Sequence, residues 1–355
     1  MRTAIGLHDF VFKGDGDFGA MADRVAEAER LGVRTVWSAE AWGTDAFVPL
    51  AFLAGRTSTI RLATGIAQVT ARTPVTTAMT AMTLDSMSGG RLVLGLGVSG
   101  PQVVEGLHGQ RYDRPLERLR ETVDVIRMAM RGDKVEYHGR QIDLPRPGGQ
   151  GKALRLSQPP RPDVPIHIAS LGPKTLEYTG QATDGWVSTC FVPETSAAYL
   201  DHLRAGAARA GRPFSEVEVM AGAPVAFSDD LERLYASRRK ALAFQISAMG
   251  SPTTNFYFEA YARMGFGDEC THVRNVWLEG RHDDACAAVP EALVRGTSLF
   301  GTPAEVRARI RQYREAGVTD LRIEPMGRTP DEKLATLAQA VELVDEVTAE
   351  TSAGD

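Results

Sequence analysis

A chain of 355 residues with a formal net charge of -5 and 43% hydrophobic residues has ample apolar material for a large buried core, and no basic excess that would draw it to a nucleic-acid backbone. Its three cysteines, Cys190, Cys270 and Cys286, form no CxxC pair, so neither a disulfide framework nor a tetrahedral zinc site is expected and no metal ligand is assigned. The opening Met1-Arg-Thr-Ala-Ile-Gly-Leu-His lacks the long apolar core of a signal peptide, and no run approaches a membrane span, so a cytoplasmic protein away from membranes is expected.

In chain order, Thr3–His8 reads as a first strand, and Met21, Val25, Ala28 and Leu31 give Phe18–Leu31 a helical spacing closed by Gly32. Val33–Ser38 is a second strand and Asp45–Arg56 a helix. Two apolar runs, Ile60–Val69 and Arg91–Gly97, then flank Thr76–Met87, with Pro74 at a first helical position. That is one βαβ unit, and its second strand ends in Gly95, Gly97 and Gly100, poor strand residues but a good surface for close approach of a ligand. Leu116–Met130 is amphipathic. Lys134–Asp143 alternates around His138-Gly139 as a small hairpin outside the main pattern, followed by a Pro- and Gly-rich loop over 145–162. Val164–Ser170, Gly185–Ser188 and Val217–Phe227 read as strands followed by helices Pro173–Ala182, Glu194–Ala210 and Leu231–Met249. From 250 to about 282 the alternation breaks into aromatic and polar residues, read as an insertion that covers a pocket. Asp283–Leu293 and Pro303–Ala316 are helical, and Asp320–Glu324 is the eighth strand, before the helix Asp331–Val347. Eight strands alternating with helices predict one domain over 1–355, an α/β fold of the (β/α)8 TIM-barrel kind with insertions after strands 4 and 7. A doubly wound sheet with a lid domain is the second choice.

Ser88-Gly-Gly-Arg-Leu-Val-Leu-Gly-Leu-Gly-Val-Ser-Gly100 resembles a stretch of the luciferase-like flavin and deazaflavin oxidoreductases. Val36-Trp-Ser-Ala-Glu40 and Ile166-His-Ile-Ala-Ser-Leu-Gly-Pro-Lys-Thr-Leu-Glu177 look like the second-strand and phosphate-loop motifs of the same luciferase-like monooxygenase superfamily, in the same order. Ser38-Ala-Glu-Ala-Trp42 and Ser99-Gly-Pro-Gln-Val-Val-Glu-Gly106 draw the likeness toward the branch that uses coenzyme F420, a deazaflavin.

Barrel function collects at the C-terminal ends of strands, which singles out His8, Glu40 and Trp42 as candidate catalytic residues. His8 could equally tie down its own loop, and Trp42 could simply pack one. The resemblance implies a histidine after Glu40 as acid or base; Ala41 stands there instead, so Glu40 or His8 would have to take that part, Glu40 as a carboxylate desolvated beside Trp42. Gly65, Ile66, Ala67 and Gln68 occupy the place where the family often has a bulged third strand behind the cofactor ring, with Gln68 and Thr70 toward its polar edge. Gly97, Val98, Ser99 and Gly100 end the fourth strand. Ala169, Ser170, Leu171, Gly172, Pro173, Lys174 and Thr175 run from a strand into a helix start, where backbone amides and the helix dipole favour a phosphate; an ordinary helix start is the plain alternative. His167 and Cys190 read as packed core residues. The expected activity is hydride transfer between coenzyme F420 and a small organic substrate, a carbonyl, alcohol or activated alkene. The alternatives are an FMN-dependent monooxygenase of the same family and a non-catalytic flavin-binding protein. A homodimer or higher homo-oligomer is expected.

Overall fold

The computed structural model describes residues 1–10, 17–40, 43–250 and 254–352. Strands and helices alternate along it as expected for a (β/α)8 barrel, the paired strands of the large sheet running parallel. The chain divides into two compact units, residues 1–36 with 170–355, and residues 37–169. Among the described residues no helix is long and apolar enough to cross a membrane.

In the first unit Gly185–Val187, Glu218–Phe227, Asp320–Pro325 and Arg2–Gly6 form a continuous parallel ladder, with Glu218 opposite Gly185, Met220 opposite Asp320, and Asp320 opposite Arg2. Their buried residues are mostly aliphatic, as doubly covered parallel strands require. Asp320 is a buried charge among them: it is 1% exposed and accepts from Arg2 Nε and Thr35 Oγ1, each at 3.1 Å. The first strand stops at Gly6 and not at His8, because Leu7–Phe10 winds into a single 3-10 turn in which Asp9 accepts from the Gly6 amide at 2.9 Å.

The predicted helix Pro173–Ala182 is found with those bounds, whereas Glu194–Ala210 begins as a short 3-10 turn and is helical only over Ala197–Arg209. Asp283–Leu293 is two short helices, His282–Ala287 and Glu291–Gly296, separated at Pro290, whose ring interrupts the helical ladder. A three-residue strand, Leu299–Gly301, pairs with the end of Glu218–Phe227 and was not expected; three residues are too few to show a period. Segment 250–282, read as an irregular insertion, is mostly helical over Phe256–Tyr261, Ala262–Phe266 and Gly267–Leu278. Asn255 opens it by accepting from the Tyr257 and Phe258 amides, both at 3.0 Å. Its aromatic run hid the helical period, and Gly265 at φ 99° interrupts it.

In the second unit the expected strand Ile60–Val69 is two pieces, Arg61–Thr64 and Ala67–Gln68, joined through a cis Gly65–Ile66 peptide. Both pair with Leu92–Gly97, which also carries Ile166–Ala169. Helix Pro74–Met87 starts at the predicted proline, capped by Thr73 Oγ1 on the Thr76 amide at 3.3 Å. Arg91 of the Ser88-Gly-Gly-Arg motif acts as a staple. Its guanidinium donates to Ser88 O at 2.7 Å, Thr57 Oγ1 and Ile60 O at 2.9 Å, and Ala54 O and Thr57 O at 3.0 Å. Helix Pro115–Met130 buries Leu119, Val123, Ile126 and Met130. Its buried Glu121 accepts from the amides of Arg140, Gln141 and Ile142 at 2.7–2.9 Å, pinning the turn of the small hairpin Tyr137–His138 with Asp143–Leu144.

Candidate functional site

Residues 37–169 bring several of the sequence-predicted positions together at strand ends. The Gly65 amide donates to Ser38 O at 2.6 Å, and the Glu40 amide to Ile66 O at 3.3 Å, so the bulge is tied to the end of the second strand. A methyl on Gly95 would stand 1.8 Å from the Thr64 carbonyl oxygen, and one on Gly65 would meet the Trp37 ring at 2.9 Å. Only glycine allows this approach. Thr64 Oγ1 completes the contact, donating to Gly95 O and accepting from Gly95 N, both at 2.8 Å.

On the strand ends joined by these contacts Trp37 Nε1, Ser38 Oγ and Gln68 Oε1 are buried with no hydrogen-bond partner among the described residues, and so is Thr70 Oγ1 two residues further on. Buried polar groups are nearly always satisfied, so such a cluster marks a place for a polar ligand edge. Gln68 Nε2 reaches Glu40 O at only 3.4 Å, a weak hold. Val98, Ser99 and Gly100 continue from Gly97, with Ser99 at φ 57° and its carbonyl accepting from Tyr112 Oη at 3.3 Å. A non-glycine residue in that region is uncommon, and such positions concentrate at functional sites. His167, in the neighbouring strand, is buried with its ring 5.9 Å from Trp37.

Glu40 has a different setting from the one expected of it. Its carboxylate accepts from the Gln68 amide at 2.7 Å, the Ala46 amide at 3.3 Å and Arg72 Nη1 at 2.7 and 2.8 Å. Arg72 also pairs with Asp45 and lies 5.0 Å over the Phe47 ring. Arg72 and Asp45 were not singled out from the sequence; no motif marks them, since the arginine lies 32 residues from its partner Glu40. The Trp42 position, with Ala41, lies outside the described residues.

In the other unit His8 sits in the 3-10 turn, its side chain 65% exposed. Nε2 is 3.1 Å from Arg322 Nη2 and 3.2 Å from Asp9 Oδ1. Arginine only donates, so the Arg322 contact uses a lone pair on Nε2. Lys333 Nζ adds a bond to Asp9 O at 2.5 Å.

Ser170 is buried, and its carbonyl accepts from Trp186 Nε1 at 2.8 Å. Gly172 caps helix Pro173–Ala182 with no side-chain bond to the first turn; Pro173 has no N–H and the Thr175 amide donates to Gly172 O at 3.1 Å, which leaves the Lys174 amide and its exposed side chain at the helix start. Arg263 Nη2 donates to Leu171 O at 3.0 Å, adding a cation at this helix start that sequence reading missed because it lies in the segment taken as irregular. Cys190 is buried; burial pushes its thiol up to about 11, against bonds from Tyr261 and Thr189 that act the other way. It shows no feature of an activated nucleophile.

A family model described as luciferase-like monooxygenase matches residues 7–320. A protein of Mycobacterium tuberculosis, provisionally named a coenzyme F420-dependent oxidoreductase, is 40% identical over 306 residues, covering 84% of this chain and 88% of its own. A 5,10-methylenetetrahydromethanopterin reductase of Methanolobus tindarius is 29% identical over 83% of this chain and 86% of its own. Among solved structures, a coenzyme F420-dependent tetrahydromethanopterin reductase from Methanopyrus kandleri superposes with a TM-score of 0.76 at 23% identity, over 96% of this chain and 98% of that one.

Proposed function

The chain belongs to the luciferase-like monooxygenase family, and from that premise we propose that it is an oxidoreductase moving a hydride between coenzyme F420 and a small organic carbonyl, alcohol or activated alkene. The observation that carries the proposal is the group of buried polar atoms without a partner at Trp37, Ser38 and Gln68, on the strand ends tied together through Gly65 and Gly95, which suits a flat heterocycle with a polar edge. When bound, the deazaflavin supplies the carbon that gives up or accepts the hydride. Gly65, Ile66, Ala67 and Gln68 back the ring, and Gly97, Val98, Ser99 and Gly100 let it approach the backbone. Ala169, Ser170, Leu171, Gly172, Pro173, Lys174 and Thr175 serve the phosphate, the amides of the helix start doing the binding and Lys174 and Arg263 adding charge.

Glu40, held by Arg72, is a positioning residue in this reading. Its bond to the Gln68 amide keeps Gln68 aimed, and its lone pairs are engaged elsewhere than at a reacting atom. His8 then remains as the side chain able to exchange a proton with substrate oxygen, its tautomer set by Arg322. The test is titration of apo-protein with F420 and, separately, FMN, followed by fluorescence quenching and by bleaching with alcohols. Saturable quenching of F420 with bleaching by a substrate is expected. Binding of FMN alone would replace this reading with the monooxygenase one, and quenching with no turnover on any substrate class would leave a flavin-binding protein.

A further inference from the structure

Following directly on Gln68 and Gly97, within residues 37–169, is a small open cleft whose walls include Val69, Thr70, Val98, Arg111, Asp113 and Arg118. Its charge is two guanidinium groups against one carboxylate. Of the neighbouring ions outside it, Glu117 pairs with Arg114 at 3.4 Å and with Arg140 at 3.7 Å, and Glu105 accepts from the Tyr112 amide at 3.1 Å. Two atoms of the lining are buried with no hydrogen-bond partner among the described residues, Thr70 Oγ1 and Arg118 Nε. Arg118 is nonetheless held in place, since its Nη2 donates to Gln141 Oε1 at 3.1 Å. Tyr112, also in the wall, spends its phenol on Ser99 O. The unmet capacity of the cleft is therefore that of donors, a guanidinium N–H and a hydroxyl, next to a second and exposed guanidinium at Arg111. The complement of two fixed donors and a net positive charge is a group with two acceptor oxygens and negative charge.

We infer that this cleft is a carboxylate-binding subsite of the ligand site. Two sources fit the chemistry, the acidic tail that coenzyme F420 carries beyond its phosphodiester and a carboxylate on the substrate. Assigning the carboxylate to either rests on the proposed oxidoreductase function; the cleft's affinity for a carboxylate does not.

The test uses the full chain and malonate as the probe, with sodium chloride at matched ionic strength as control. Malonate raises the melting temperature of the wild type in a saturable way. Arg118→Met and Arg111→Gln each weaken that response on the order of tenfold, the effect of losing a charge-assisted hydrogen bond or its supporting charge. Arg111→Gln guards against misfolding, since Arg111 is exposed. A malonate response that is absent, or equal in wild type and both variants, overturns the inference. Malonate is then set against F420 and against the tail-less deazaflavin ribityl compound. Competition with F420 alone assigns the subsite to the cofactor tail; competition with neither, while the variants still lose the malonate response, assigns it to the substrate. Failure of both deazaflavins to bind wild type would sink the proposed function and leave the malonate result standing.

Discussion

Glu40→Gln separates a carboxylate that exchanges protons from one that holds a scaffold. Its side chain is 11% exposed and that of Arg72 20%, so the pair is largely shielded from solvent. The substitution removes a two-oxygen contact with Arg72 and weakens the acceptor for the Gln68 amide, but Asp45 stays to neutralise the guanidinium. Breaking one side of a buried pair costs about 3–5 kcal/mol, and hydrogen bonds to charged groups contribute about 1.5–3 kcal/mol each, so with Asp45 in place the loss is about 2–4 kcal/mol. At roughly 2 °C per kcal/mol for a chain of this size, the melting temperature falls by about 4–8 °C. F420 affinity, read by fluorescence quenching, falls too, because Gln68 loses its anchor. Turnover drops on the order of tenfold, and the pH profile of kcat keeps its shape. Arg72→Met gives the same pattern, and the double variant is less than additive. An unchanged melting temperature with turnover cut a hundredfold or more, and one limb of the pH profile lost, would refute the positioning role and make Glu40 the acid or base.

Lys174→Ala weakens F420 binding several-fold and makes it less sensitive to salt, since Lys174 is exposed beside the helix start; unchanged affinity and salt response in a quenching titration would leave the backbone amides alone in contact. Gly95→Ala cannot be accommodated at 1.8 Å from the Thr64 carbonyl, and a soluble variant with a native melting temperature would show the strand contact to be wrongly placed. Cys190, with its thiol raised to about 11, stays protonated at neutral pH and reacts slowly with thiol reagents until the protein unfolds. The sign for stability follows: from the ordinary thiol value of 9.0 up to about 11 the unfolded chain loses this proton and the native state keeps it, so stability falls as pH rises through that window. Denaturant titrations at pH 8 to 10.5 should show that fall diminished in Cys190→Ala.

The alternation of elements was legible because each strand and helix carries its own period and stop signal. Pro74 and Pro173 mark helix starts whatever surrounds them, and Leu119, Val123 and Ile126 declare one buried face. The motif over 88–100 located the strand that carries Gly95, but its arginine proved to be a staple at the other end of that strand, made from carbonyls of residues 54–60 that no local pattern connects to it. Where the sequence was read wrongly, the local signal was absent or outvoted: three residues over 299–301 became a strand by pairing with Glu218–Phe227, and the aromatic residues of 256–261 became a helix. The site shows the same division. Residue type and position nominated Glu40, His8 and Gln68, since polar groups at strand ends can be counted from the sequence alone. What each carboxylate or imidazole can do depends on which charge folding brings within about 3 Å. Arg72 reaches Glu40 across 32 residues and Arg322 reaches His8 across 314, and those separations are set only by the tertiary structure.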